Sequence, residues 1–315
     1  MASPPIKSIG VIGTGVIGSS WTALFLAKGL KVIVSDPAPG AESKLRDYLQ
    51  KNCPSVPDAK STLDTCLQNY RFVKDIDPHL GEVDLIQENG PERLDFKHRL
   101  FAQLDAKTPS HVRIASSSSG LPSSQFITEC KNNPSRILIG HPFNPPHLVP
   151  LVEVVPHPGT GEEYITRARE FYASLNKDPI VVKQEMPGFI ANRLQAALCA
   201  EAYSLISRGA VSAEDLDKTM TSGLGLRWAL LGPIMTNTLA GGESFTHFAD
   251  HLGPALKMWL DDMEEHKFDL GSKEKTDALK GSVNEWMTHV ELGKVEKDRD
   301  EFLSSLVGSK LDKSN

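Results

Sequence analysis

The sequence predicts an α/β chain in two parts: a doubly wound, mostly parallel sheet domain followed by an all-α helical domain. Three observations carry that expectation. Apolar strand patterns alternate with helical patterns as far as about Lys183, a glycine turn separates the first strand from the first helix, and beyond "MPGF" the spacing becomes helical throughout. Alternation of strand and helix implies crossover units, and crossovers imply parallel strands with helices on both faces.

The opening "IKSIGVIGTGVIGSSWTALFLAKGLKVIVSD" reads as a strand, a glycine turn, a helix over about 16–28 and a second strand over 31–34. The turn is Gly13-Thr-Gly15-Val-Ile-Gly18, a G-x-G-x-x-G between strand and helix, with Asp36 eighteen residues past Gly18 at the end of the second strand. That context makes it a Rossmann-type dinucleotide fingerprint. Gly13 permits the tight turn, Gly15 lets a pyrophosphate approach the backbone, and Gly18 lets helix and strand pack closely. The N-terminal residues Val16 and Ile17 then face the phosphates. Asp36 suits the adenosine ribose hydroxyls, and the "PAPG" after it supplies no Arg for a 2′-phosphate, so NAD is expected rather than NADP.

Further strands are expected in "VDLIQE", "VRIASSS", "RILIGH", "LVEVV" and "PIVVK", with a helix over about 91–105. Ligands of such sheets bind at the carboxyl ends of the strands, which selects Gln87, Glu88 and Asn89, the serines from Ser116 to Ser119, and His141. His141 precedes Pro142, Pro145, Pro146 and Pro150, which stiffen the chain, and Glu153 sits alone in the apolar "LVPLVEVV". A carboxylate there is costly to bury unless paired, and a nearby imidazole is its cheapest partner. Equally open from this stretch alone is a solvent-facing Glu153 with His141 capping a turn. In "FIANRLQAALCAEAYSLISRG", Leu194, Ala197, Leu198, Leu205 and Ile206 fall at helical spacing, Gly209 ends the helix, and Ser212 with Asp215 forms a capping box for the next. The domains are therefore placed at 1–187 and 188–315, the tail fraying after Leu306.

Composition narrows the function classes. Of 315 residues, 40% are apolar and 23% charged, as in soluble globular proteins, and the formal charge of -6 with no basic block argues against nucleic acid or an anionic membrane. A small-molecule ligand is expected. The four cysteines form no C-x-x-C pair, so neither a metal site nor a disulfide framework is expected, and the amino terminus reads as neither signal peptide nor membrane span. A cytoplasmic location follows as the default.

The segments "VIGTGVIGSSW", "IQENGPE", "SSSSGL", "GHPFNPPHLVPLVEVV" and "PGFIANRL" resemble the 3-hydroxyacyl-CoA dehydrogenase family over nearly the whole chain. Within it, "IQENGPERLDFKHRLFAQLD" and "GLGLRW" resemble the branch of L-gulonate 3-dehydrogenase (λ-crystallin), while "AGGESFTHFADHLGPALK" leans toward L-carnitine dehydrogenase. The resemblance implies His141 as the general base that takes the hydroxyl proton as hydride leaves for NAD, Glu153 as its partner, and Ser119 and Asn192 as contacts of the reacting oxygen. It also implies Glu88 and Ser117 beside the cofactor and a homodimer built on the helical domain. The resemblance places Asp in carnitine dehydrogenases where this chain has Asn192, which weighs against carnitine.

Two departures bear on substrate. The lysine-rich insertion that meets CoA in the acyl-CoA enzymes is replaced by the shorter "SKLRDYLQKNCPSVPDAKSTLD". A glycine-rich turn is replaced by "GLGLRWALLGP", whose Arg227 is a planar donor suited to a free carboxylate. The expected activity is NAD-dependent oxidation of the 3-hydroxyl of a small polar hydroxy acid, L-gulonate first. The alternatives are L-carnitine, a short-chain 3-hydroxyacyl-CoA and, from another class, a crystallin-like structural role. The presence of His141, Glu153, Ser119 and Asn192 together weighs against the last.

Overall fold

The structure, a computed structural model, describes residues 5–242 and 244–314, with side chains as far as 310. Readings of residues 1–4, of Glu243 within "AGGESF" and of Asn315 lie outside the described residues. The chain divides into two compact units, one reaching to Asn192 and joined by the stretch from Glu296 onward, the other Arg193–Val295.

The first unit is built on strands β1 (Ser8–Ile12), β2 (Lys31–Ser35), β3 (Tyr70–Val73), β4 (Leu85–Glu88), β5 (Arg113–Ser116), β6 (Ile137–Pro142), β7 (Leu151–Pro156) and β8 (Asp178–Val181). They form one sheet in the order β3-β2-β1-β4-β5-β6-β7-β8. All neighbours are parallel except β6 and β7, which run antiparallel. The order reverses at β1, so the crevice between the ends of β1 and β4 is where a doubly wound sheet binds its ligand. Helices α1 (Val16–Ala27), α2 (Ala41–Asn52), α3 (Leu63–Gln68), α4 (Leu94–Lys107) and α5 (Glu162–Ser174) complete the unit.

Strand alternation divides the core in two. Ile9, Val11, Val32, Val34, Leu85, Leu138, Val152 and Val154 join one cluster with Trp21, Phe25 and Tyr172; Ile12, Ile33, Ile86, Ile114, Ile137, Ile139 and Val155 join another with Phe101 and Phe126. Both faces of the sheet are thus covered, which is why its strands read as continuous apolar runs.

Three local expectations need correction. Strand β3 was not anticipated: "YRFV" follows a proline-containing stretch and pairs with β2 alone, and its Arg71 is exposed. Helix α4 starts at Leu94 rather than 91, because Arg93 N–H donates to Pro91 O in a turn before it. The tail does not fray after Leu306. Helix α12, introduced below, runs to Ser314, and its buried Val307 faces the same small internal space as Leu24, Val56, Leu148 and Leu175. The second unit ends at Val295, and the residues after it pack with the first.

The second unit takes most of α6 (Ala191–Ser207), then α7 (Ala213–Thr219), a π-helical turn at Met220–Leu224, α8 (Gly225–Trp228), α9 (Pro233–Ala240), α10 (Phe245–Glu265) and α11 (Lys273–Met287); α12 (Leu292–Ser314) begins in it. Gly209 lies at φ +71°, the left-handed position expected after a helix, and Ser212 Oγ accepts from Asp215 N at 3.0 Å at the start of α7. Tyr203 packs edge-on against Phe268, and Ser204 Oγ donates to His266 O at 2.7 Å. Leu194 and Leu198 of α6, which fall at helical spacing, are exposed, Leu194 by 64%.

Candidate active site

The glycine turn follows β1. Gly13 has φ +88°, and an added Cβ there would lie 2.7 Å from Asn89 O. The first bond of α1 runs from Ser19 N to Gly15 O at 2.9 Å, which leaves the N–H groups of Val16, Ile17 and Gly18 without helical acceptors. No atom lies within 4 Å of the space a Cβ on Gly15 would fill, so a phosphate can reach these donors. Asp36 at the end of β2 ties the turn down: Oδ2 accepts from Thr14 N at 2.7 Å and Thr14 Oγ1 at 2.8 Å, and Oδ1 from Ala38 N at 2.8 Å. Partial burial raises its pKa, but these hydrogen bonds outweigh burial and hold the carboxyl below the usual range. Open backbone donors at a helix start, with an ionised carboxylate at the neighbouring strand end, fit NAD.

Gly18 is the tightest point. A Cβ there would lie 1.9 Å from Gly13 O and 3.3 Å from Asn89 Cβ. Gly18→Ala must therefore push the turn open, and NAD affinity should fall on the order of 100-fold, about 3 kcal/mol. Calorimetric titration with NAD checks this, and an unchanged Kd would place the cofactor elsewhere.

His141 and Glu153 are directly opposed across the β6/β7 ladder, the single antiparallel pairing of the sheet. Because β7 runs backwards, its start lies beside the end of β6 and brings a carboxylate to the edge where the parallel strands end. His141 Nδ1 and Glu153 Oε2 are 2.7 Å apart, and both side chains are buried. Glu153 Oε1 accepts from Ile190 N at 2.9 Å and Ala191 N at 3.0 Å, the start of α6. Burial raises the pKa of Glu153, but the His141 hydrogen bond and the two backbone donors overcome it and hold the carboxyl low. The pair's stabilisation is therefore complete above the ordinary carboxylate range and is lost only as pH falls through the lowered folded value. With Nδ1–H committed to Glu153, a neutral His141 presents Nε2 as a base. Phe143 and Phe189 flank the ring at centroid distances of 5.5 and 5.7 Å. Phe189 is buried at φ +49°, a strained position for a side-chain-bearing residue, and it leads directly into Ile190 and Ala191.

The same turn connects to the serine cluster. Asn192 Nδ2 donates to Ser119 O at 2.6 Å, and Asn192 directly follows Ala191, so Ser119, Asn192, Glu153 and His141 form one continuous assembly. The Ser119 hydroxyl has no partner among the described residues. Residues 118–121 are held from the other side by Glu92, whose Oε1 accepts from Ser118 Oγ at 2.6 Å, Ser119 N at 2.9 Å, Gly120 N at 3.2 Å and Leu121 N at 3.4 Å.

Two expected cofactor contacts are engaged by the protein's own side chains. Glu88 has a fully buried side chain that turns inward to Lys97 Nζ at 2.9 Å, Ser116 Oγ at 2.5 Å and Gly90 N at 2.7 Å, so its carboxylate lines no open pocket. Ser117 Oγ is saturated. It donates to Asn89 Oδ1 at 2.7 Å and accepts from Gln87 Nε2 at 2.8 Å and Trp21 Nε1 at 3.1 Å, while Gln87 Oε1 accepts from buried Tyr172 at 2.7 Å. Arg227 stands in α8 of the second unit, exposed and without an ion pair among the described residues. Sequence reasoning missed Glu92 and Lys97. Their signal was an acid four residues after Glu88 and a lysine inside an amphipathic helix, which solvated faces show as well.

The comparisons agree with this architecture. The sequence model described as "3-hydroxyacyl-CoA dehydrogenase, NAD binding domain" matches residues 8–186, and "3-hydroxyacyl-CoA dehydrogenase, C-terminal domain" matches 188–279. The chain is 53% identical over 308 residues, 97% of this chain and 95% of the other, to a Gibberella moniliformis protein named 3-hydroxyacyl-CoA dehydrogenase. It is 40% identical over 310 residues, covering 96% and 94%, to a Pseudomonas aeruginosa protein named L-carnitine dehydrogenase. Among solved structures, a 5-formyl-3-hydroxy-2-methylpyridine 4-carboxylic acid 5-dehydrogenase described as an NAD+ dependent dismutase superposes with TM-score 0.75 at 26% identity, covering 96% and 97%. A family match over both parts of the chain and a glycine cradle that fits NAD lead to one conclusion: this protein is an NAD-dependent dehydrogenase belonging to the 3-hydroxyacyl-CoA dehydrogenase family.

Proposed function

We propose that this enzyme oxidises the 3-hydroxyl of a small free hydroxy acid, with L-carnitine ahead of L-gulonate as substrate. The observation that carries the chemistry is the cross-strand pair of His141 and Glu153, whose nitrogen and oxygen are 2.7 Å apart at the ligand-binding edge of the sheet. Oxidation of a carbinol needs a base for the hydroxyl proton, an orienter for that base and donors for the forming carbonyl oxygen. His141 Nε2 takes the proton, Glu153 fixes the tautomer and stabilises the imidazolium, and the Ser119 hydroxyl holds the reacting oxygen. Asn192, whose amide also braces Ser119, contacts the same oxygen. Bound NAD supplies the hydride acceptor.

The order of substrates rests on relatives named L-carnitine dehydrogenase at 38–42% identity. A 3-hydroxyacyl-CoA thioester is the second reading, favoured by the name of the Gibberella relative. NADH formation measured side by side with L-carnitine, L-gulonate, 3-hydroxybutyrate and L-3-hydroxybutyryl-CoA separates them: turnover of a free acid is expected, and turnover of the thioester alone would overturn the proposal. Arg227 is taken as the anchor for the substrate carboxylate. Arg227→Met should raise KM for the free acid about tenfold, the worth of a charge-assisted hydrogen bond; an unchanged KM would reject the anchor.

A homodimer is part of the same reading. Leu226, Leu230, Ile234, Met235, Leu239 and Trp259 of the second unit are all exposed, more apolar surface than solvent-facing helices ordinarily carry. Sedimentation should give twice the chain mass. A cytoplasmic location belongs to the same reading; among the described residues no helix is long and apolar enough to cross a membrane.

A further inference from the structure

We propose that Ser20 and His147 form a latch that sets the base at its distance from the cofactor, and that both are positioning residues for hydride transfer. The latch rests on His141 being the base and the glycine turn the cofactor cradle, and it serves any of the hydroxy compounds named above. Residues 143–150 join β6 to β7, so this loop carries the chain from His141 to Glu153. Phe143, its first residue, packs edge-on against the His141 ring at 5.5 Å. A displacement of the loop therefore reaches the base.

The loop is tied to α1, the helix whose start faces the cofactor phosphates. Ser20 Oγ accepts from His147 N at 2.9 Å and lies 2.8 Å from His147 Nδ1. Both bonds join the same two residues, so the loop cannot slide along α1 without breaking them. Ser20 is 0% and His147 3% exposed, so no solvent competes for these bonds. The Tyr48 hydroxyl of α2 stands 3.4 Å from the same ring nitrogen. From the other side, the ammonium of buried Lys177 donates to the carbonyls of Pro146 and, at 2.7 Å, Val149. That ammonium also lies 5.7 Å from the centroid of the Trp21 ring, the neighbour of Ser20 on α1. Leu148 N and Val149 N both donate to Pro145 O at 3.0 Å, which closes the loop on itself.

Ser20 stands about one helical turn past Val16, roughly 6 Å along the axis, and the N–H groups open to phosphate belong to Val16, Ile17 and Gly18. Val16 and the loop residues Asn144 and Pro145 border one cavity of about 540 Å³, so the cofactor end of the helix and the loop face each other. Helix α1 thus has two attachments. Its first turn is open to the cofactor, and its second holds the loop that follows the base. Hydride transfer demands close alignment of carbinol, base and nicotinamide, and a misplacement of about 1 Å introduced away from the reacting groups costs on the order of 100-fold in rate.

The test uses Ser20→Ala, which removes both bonds, and His147→Phe, which keeps the backbone bond and much of the ring volume and so decides the matter where the first variant does not fold. Turnover of L-carnitine and, in parallel, of L-3-hydroxybutyryl-CoA is measured with hydrogen and with deuterium on the carbinol carbon. In Ser20→Ala, kcat should fall roughly 10- to 100-fold on whichever compound the wild-type enzyme oxidises, with the Kd for NAD within about twofold of wild type. The primary isotope effect on kcat should rise, because misaligned hydride transfer becomes slower than product release. His147→Phe should show a smaller fall, and the double variant should be no worse than Ser20→Ala, since both changes break one connection. A brace that serves folding alone would lower the unfolding midpoint and leave the isotope effect where it is, and that outcome overturns the latch. A loss of NAD affinity with kcat unchanged overturns it as well, since the damage would then lie in the cradle. Hydrogen exchange tests the latch without turnover: the amides of His147, Leu148 and Val149 should exchange roughly tenfold faster in Ser20→Ala, and unchanged exchange would reject it. If L-carnitine is inert and the thioester is oxidised, the substrate reading falls while this comparison stands.

Discussion

His141→Ala should lower turnover about 1000-fold while NAD binds as in the wild-type protein. The two halves of this result come from different places in the sheet. The cofactor cradle is made at the end of β1 by Gly13, Gly15 and Gly18 and held by Asp36 through Thr14, none of which bonds His141. The base stands on β6, and its removal leaves Glu153 with the Ile190 and Ala191 N–H groups as partners. The fold at α6 should therefore survive, and the loss belongs to kcat rather than to KM. Glu153→Gln should give a comparable loss, because the Ile190 and Ala191 N–H groups claim the single glutamine oxygen and leave its amide N–H facing His141 Nδ1, which puts the ring proton on Nε2 and removes the base. The measurements are steady-state NADH formation and calorimetric titration with NAD. Activity within tenfold of wild type in His141→Ala would remove the base assignment.

The pairing of these two residues was legible only in part. A lone carboxylate in "LVPLVEVV" suggests a buried partner, with His141 the nearest candidate, but a solvent-facing Glu153 fits the same letters equally well. What the sequence does not show is that β7 runs antiparallel to β6, which sets the two residues opposite each other rather than one loop apart. The glycine turn was legible throughout because its requirements are local: a left-handed Gly13, an open Gly15 and a crowded Gly18 follow from a strand, a turn and a helix within a few residues. The internal partners of Glu88 and Ser117 were not. Whether a polar residue at a strand end faces the ligand or the interior depends on what lies behind it, here Lys97 from α4 for one and Gln87 and Trp21 for the other. The return of α12 was obscured by its charged sequence. A helix that buries little beyond Val307 looks like a solvated tail.

Lys97→Met should cost about 3–5 kcal/mol of stability. Lys97 is 1% exposed, and its ammonium bonds both oxygens of Glu88 and reaches Ser116 Oγ at 3.4 Å. It also lies 5.7 Å from the centroid of the Phe126 ring. Methionine fills much of the same volume, so the cost is not a cavity. It is the Glu88 carboxylate left in the core with only Ser116 and Gly90 as donors. The double variant Glu88→Gln with Lys97→Met separates the two explanations: if the uncompensated charge is the cause, removing it should recover more than half of the loss, because replacing both members of a buried pair is far less costly than orphaning one. Denaturant unfolding of the three variants measures the coupling directly. Simple addition of the single effects would mean that Lys97 acts through packing on Phe126. Recovery of stability would mean that the pair exists to hold the ends of β4 and β5 together, and with them the strand ends from which the turns to Glu92 and Ser119 emerge.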